Sequence, residues 1–152
     1  MFSKQEASHL KQQFWTSFGQ YMSPIPSSEG AKVNWINYKT GIKDIFFKMD
    51  AGNKNATIAL VLAQADLQRQ EIFYNQLLQL KTALHESLQE DWHWQQQVQD
   101  ENNKIISRVY IQLDNVNIYN RHDWPSIISF FKPRIIALDA FWAEMRFVFE
   151  VV

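Results

Sequence analysis

Asp44, Lys48 and Asp50 stand in GIKDIFFKMD, and the chain runs on through AGNKNATIALVLAQAD. Carboxylates and a lysine on neighbouring strands are the residue types from which a site for phosphodiester cleavage is built. The carboxylates hold Mg²⁺ through oxygen, and the lysine stabilises charge near the attacked phosphate. Such a site needs an acidic residue on one strand, then an acidic residue and a lysine two positions apart on the next. Asp44 suits the first role. The following strand, IALVLA, offers neither type and has Val61 and Ala63 where the pair is required. Asp44 and Lys48 are therefore expected on a solvated strand face. Catalysis would need Asp44 to recruit a second carboxylate, Asp50 or Glu71, and Mg²⁺ enters only under that alternative. No other cofactor or metal is expected.

Other chemistries find less support. With no cysteine in 152 residues, disulfides, thiolate metal sites and a cysteine nucleophile are excluded. His9, His85, His93 and His122 lack metal-ligand spacing. Arg121-His122-Asp123 contains a His–Asp pair, but Asp123 is better explained as a helix cap ahead of Pro125. No glycine-rich phosphate loop or serine nucleophile elbow occurs. Fifteen Lys+Arg against sixteen Asp+Glu leave a formal net charge of -1, so nucleic acid would need a local patch. The candidates for one are Lys39, Lys43, Lys48 and Lys54, interleaved with Trp35, Tyr38 and Phe46. Lysines on exposed strands also block edge-to-edge aggregation, and that role is preferred.

The elements that must position these residues follow from hydrophobic period. Ser3 and Glu6 form a capping box, and a helix with an apolar stripe through Leu10, Phe14 and Phe18 runs to Met22, where Pro24 and Pro26 stop it. Val33–Tyr38 alternates as a strand. In the next strand Ile45, Phe47 and Met49 share one face and Asp44, Phe46, Lys48 and Asp50 the other. ATIALVLA reads as a central strand covered on both sides, its smaller face under a helix. A long helix is expected from about Asp66 to Gln89. A hairpin follows, with Trp92, Trp94 and Val98 facing one side and His93, Gln95 and Gln97 the other. Its second strand, KIISRVYIQL, turns Ile105, Val109, Ile111 and Leu113 inward and leaves Arg108, Tyr110 and Gln112 on a polar face. After Asp123 a short helix is expected to break or kink near Lys132 because Pro133 lacks an N–H, and a second runs to Phe149. That last helix is apolar on more than one side, and Phe141, Trp142, Met145 and Phe149 are its candidate self-association surface.

The order helix, three strands, helix, two strands, helices is close to the core order of restriction-endonuclease-like nucleases, an analogy of order alone. Through FWTSFGQYMSP, NWINYKTGIKDIFFKMD and DWPSIISFFKPRIIALDAFW the chain resembles a bacterial domain-of-unknown-function family, number 4268, over nearly its whole length. The resemblance implies an association with nucleic-acid processing or defence, since some larger members join this domain to a nuclease-like one. It also implies an acidic residue near the end of the third strand, where this chain has Val61.

The expectation is an α+β fold, one three-layer domain over residues 1–152, with a mixed or antiparallel sheet of about five strands flanked by helices (α-β-β-β-α-β-β-α) and a degenerate endonuclease-like core as one reading. No apolar run approaches the roughly 20 residues a bilayer span needs, and the amino terminus has no apolar signal-peptide core. The protein is expected in the cytoplasm, as a non-catalytic interaction or self-association module that forms a homo-oligomer. Nucleic-acid processing or binding is the alternative.

Overall fold

Ser3 opens the first helix as its capping box requires, accepting the Glu6 N–H at 3.1 Å. The computed structural model describes residues 2–151. Helix α1 spans Lys4–Met22, followed by strands β1 (Ile45–Ala51) and β2 (Asn55–Leu62), helices α2 (Leu67–Gln79) and α3 (Lys81–Leu88), strands β3 (His93–Gln99) and β4 (Ile105–Asp114), a 3₁₀ turn at Arg121–Asp123, and helix α4 (Trp124–Glu150). The sheet is antiparallel with order β1-β2-β4-β3. Four strands form rather than about five.

Alternation decides what each sheet face meets. Ile45 and Phe47 of β1, Ile58, Leu60 and Leu62 of β2, and Val109 of β4 point to one side, where they join Phe14, Phe73, Leu84, Ile135 and Trp142 from the helices in one core. The apolar cluster on the other side, Ala59, Val61 and Ile106 with Ala63, Val98 and Tyr110 against them, contains no helix residue. The architecture is thus two layers, not three, and the small face of β2 lies under no helix. No helix among the described residues is long and apolar enough to cross a membrane.

The expected strand at Val33–Tyr38 does not form. This stretch belongs to the irregular segment 23–44, whose rings find tertiary partners that outbid a ladder. Trp35 donates its indole N–H to Ile25 O at 2.9 Å, and Tyr38 stacks on Phe47 with centroids 4.8 Å apart. Asp139 of α4 accepts from the Tyr38 hydroxyl at 2.5 Å and the Ser28 N–H at 2.8 Å. Trp142 donates to Thr40 O at 2.7 Å. Burying a carboxylate is costly unless it is hydrogen-bonded, and Asp139 meets that condition by fastening the segment to α4.

Three helix expectations are revised. The helix after Asp66 is interrupted at Leu80, whose φ of -98° and ψ of 12° leave helical geometry. Helix α4 runs unbroken through Pro133. Ser129 and Pro133 both lie on its exposed side, so the carbonyl deprived of its donor faces water. Asp123 stands at the start of α4, but its carboxylate accepts the Asn117 N–H at 2.9 Å rather than capping the helix. Three of the four residues assigned to self-association are core, Phe141, Trp142 and Phe149 being 1%, 2% and 2% exposed, and the half-buried Met145 packs against the same core cluster. The faces of the helix that carry these residues are covered by its own chain, whereas Ser129, Pro133 and Phe147 remain exposed.

Burial first, and then the bond to Asp139, push the Tyr38 phenol well above the ordinary tyrosine range. Its stabilising contribution is complete below the unfolded value of 10.0 and is lost as pH rises beyond it. Urea unfolding across the alkaline range should show stability falling above about pH 10, with a shallower fall in Tyr38→Phe. Equal slopes in both proteins would contradict the clasp.

Candidate functional site

The site is the helix-free face of the sheet, and register builds it. Phe46 pairs with Val61, Val61 with Arg108 and Arg108 with Gln95; one row along, Lys48 pairs with Ala59, Ala59 with Tyr110 and Tyr110 with His93; then Asp50 pairs with Thr57 and Thr57 with Gln112. In each row the β2 residue is short and its neighbours are long. A trough therefore runs along β2, floored by Thr57, Ala59 and Val61 and walled by β1 and β4.

The β3–β4 hairpin closes over this trough because of a bulge. The pairs Gln95–Arg108 and Val98–Ile106 set Gln96 and Gln97 opposite the single residue Ser107, and Gln97 adopts a φ of 50°. Val98 is thereby moved off the face it would share with Trp94 and onto Ala59 and Val61. Those two residues are only 4% and 3% exposed although no helix covers them. The bulge is pinned from the buried side. Gln97 donates its N–H to Ser107 Oγ at 3.0 Å, and Ser107 donates to Gln70 Oε1 of α2 at 2.7 Å. Gln70 Nε2 lies 3.0 Å from both Gln64 O and Ile105 O.

What remains open is a cavity of about 310 Å³, lined chiefly by Lys48, Asp50, Thr57, Asp100, Glu101 and Arg108 above the β2 floor. Arg108 is aimed by Gln95, which accepts from its Nε at 2.8 Å, and its guanidinium lies 4.0 Å from the Tyr110 ring centroid. Lys48 lies 5.3 Å from the Phe46 ring centroid. Neither cation makes an ion pair with a described carboxylate. The N–H groups of Lys104 and Asn102, bonded to Asp100 at 2.9 and 2.8 Å, together with the nearby Lys48 charge, hold the Asp100 carboxyl below its usual range.

The nuclease candidates do not converge. Asp44 precedes β1 and Asp50 lies near its far end, roughly 20 Å away at strand rise. Asp50 instead bonds the Ala51 N–H at 2.9 Å and approaches Lys11 at 3.9 Å. Glu71 is exposed on α2, in the helical layer. Among the described residues no group of three or more His, Asp or Glu side chains could hold a metal ion. Of the four lysines, Lys48 alone lines the cavity; Lys39 and Lys43 precede β1 and Lys54 occupies the β1–β2 turn. Of the rings expected between them, Trp35 is buried and Tyr38 half-buried, while Phe46 is exposed.

Sequence reasoning placed Arg108, Tyr110, Gln112, His93 and Gln95 on one polar face, and they share it. It put Gln97 there and Val98 opposite, which the bulge reverses. It passed over Gln70, Ser107 and Asp139. Their signal was a polar residue at a position the apolar period reserves for the core, as Ser107 sits between Ile105 and Val109.

A family model described as Domain of unknown function (DUF4268) matches residues 10–146. No curated protein and no solved structure matches the chain. The chain belongs to the DUF4268 family.

Ser107→Ala leaves the Gln97 N–H and Gln70 Oε1 without their partner, and a buried polar group so stranded costs about 1–3 kcal/mol. Urea denaturation should show a loss of that size, with faster hydrogen exchange at Gln97–Lys104. Unchanged stability would show that the relay does not hold the bulge.

Proposed function

We propose that this DUF4268 member is a non-catalytic interaction module that receives a short segment of another protein in the charged cavity on its helix-free sheet face. One observation carries the reading: a cavity of about 310 Å³ on the helix-free face whose walls present Lys48 and Arg108, neither ion-paired, alongside Asp50, Asp100 and Glu101. A cavity of that size on a sheet face suits a few residues of another chain, and walls of both signs select mixed charge with complementary spacing. The separation of Asp44, Asp50 and Glu71 supports the non-catalytic half. The absence of cysteine suits a reducing cytoplasm.

Lys48 over Phe46 and Arg108 over Tyr110 favour a second reading, single-stranded nucleic acid with bases stacked on the rings. The three carboxylates on the same cavity oppose a phosphate backbone, so peptide ranks first. Oligonucleotide affinity that falls steeply with salt would reverse the order.

Two measurements test the proposal. Display of random peptides against the protein should enrich mixed-charge sequences that bind at least about tenfold more weakly to Arg108→Glu; absence of enrichment, or binding indifferent to that substitution, would reject the trough. Single- and double-stranded DNA and RNA incubated with the protein and Mg²⁺ or Mn²⁺ should remain intact. Cleavage abolished by Asp44→Ala would establish catalysis.

A further inference from the structure

Ala63 donates its N–H to Asp44 O at 2.8 Å, and Gly52 donates to Asn55 O at 2.9 Å. Both bonds extend the register that pairs Ile45 with Leu62. In an antiparallel ladder this parity turns the N–H and C=O of even-numbered β1 residues toward β2 and those of odd-numbered residues outward, along the sheet edge. At Ile45 the outward groups are occupied: its N–H reaches Ile42 O at 3.3 Å and its carbonyl accepts from Thr40 Oγ1 at 2.8 Å. The outward N–H of Ala51 is taken by the carboxylate of Asp50 at 2.9 Å. The outward groups of Phe47 and Met49 have no partner among the described residues.

An edge strand with free groups is normally protected by a charge. Lys48 would serve, but Asp50 stands two residues along on the same face and makes the edge complementary to itself. We infer that β1 pairs antiparallel with β1 of a second copy of this chain, centred on Met49, so that Lys48 of each copy faces Asp50 of the other.

Charge and hydrogen bonding select this register together. A two-fold centred on Met49 sets Met49 opposite its twin and Phe47 opposite Ala51, engaging the free edge in up to about six backbone bonds. Moving the centre to Lys48 would put two lysines face to face and direct Ala51 at the occupied groups of Ile45. Moving it to Asp50 would oppose two aspartates. Of these three, only the Met49 register gives two cross-strand pairs of opposite sign, and a centre on Phe46, which would oppose Lys48 to Asp44, would direct Phe47 at the occupied groups of Ile45. Forming it requires Asp50 to release the Ala51 N–H and its 3.9 Å approach to Lys11. The freed N–H then reaches the Phe47 carbonyl of the other copy while the carboxylate turns to Lys48. The pairing covers five residues of each strand, from Phe47 to Ala51, so it buries less than the ~1,000 Å² of a stable interface and the dimer depends on concentration.

Light scattering on the full chain should give 18.0 kDa at low micromolar concentration and rise toward twice that at high micromolar. Lys48→Asp alone and Asp50→Lys alone should each stay at the single-chain mass, because each sets like charges opposite one another. Mixing the two variants restores opposite charges in both pairs and should restore the dimer, as should the double swap Lys48→Asp/Asp50→Lys; rescue also shows that the variants fold. A wild type that keeps the single-chain mass throughout, single variants that associate as the wild type does, or a mixture without rescue would overturn the inference. Arg108→Glu, which tests the trough, leaves this edge intact, so the two readings fail separately.

Discussion

Gln70 reaches from α2 beneath the end of β4, takes the Ser107 hydroxyl hydrogen and occupies the carbonyls of Gln64 and Ile105, while Ser107 in turn accepts the Gln97 N–H. Gln70 and Ser107 are both 0% exposed, so bulk solvent does not compete for their side-chain groups. Buried polar groups cost free energy unless every one is paired, so the relay tolerates one arrangement of the β3–β4 hairpin and penalises others. The arrangement it fixes is the bulge. From the bulge follow the transfer of Val98 to the open face, the closing of the hairpin over Ala59 and Val61, and the arrival of Asp100 and Glu101 beside Lys48. The charged cavity is thus set by a hydrogen-bond relay on the opposite side of the sheet.

The helical layer imposes a complementary constraint. Helix α4 crosses beneath β1 and β2 and draws segment 23–44 against itself through Asp139 and Trp142. Those bonds spend on the helix side the chain that alternation would have assigned to a further strand. Glu90 is held by Arg134 through contacts of 2.7 and 3.0 Å, which ties the approach to β3 onto the same helix. With every helix engaged on one face and segment 23–44 withheld from the ladder, β1 is left as an edge and the other sheet face is left to the strands alone.

The alternations of β1, β2 and β4 were legible because their apolar residues fall every second position and neighbouring rows agree. Helix α1 was legible because its cap, its stripe and its prolines all point to one span. The bulge was not, because Gln95-Gln96-Gln97 carries no hydrophobic signal by which one face is told from the other, and a shift of one residue inverts everything after it. Val33–Tyr38 misled for a related reason: the rings that favour a strand also favour any buried site, and Asp139, over a hundred residues away, decided between them. Pro133 looked like a break because a missing N–H is costly inside protein, yet on the exposed side of α4 water takes the carbonyl it frees. Phe141, Trp142 and Phe149 looked like surplus apolar surface because one sequence does not reveal how many sides of a helix are enclosed. For the site, the polar row Arg108, Tyr110, Gln112 was visible, whereas the cavity was not, since it exists only where a distant hairpin folds over it.

The position of Val98 distinguishes this account from the regular hairpin that the sequence pattern suggests. Nuclear Overhauser contacts from the Val98 methyls measure it directly. Cross-peaks to the Ala59 methyl and the Val61 methyls on the helix-free face are expected. Contacts to the Gln70 side chain and the Ile105 methyls on the helical side, where an unbulged register would place Val98, would contradict this placement, and with it the cavity.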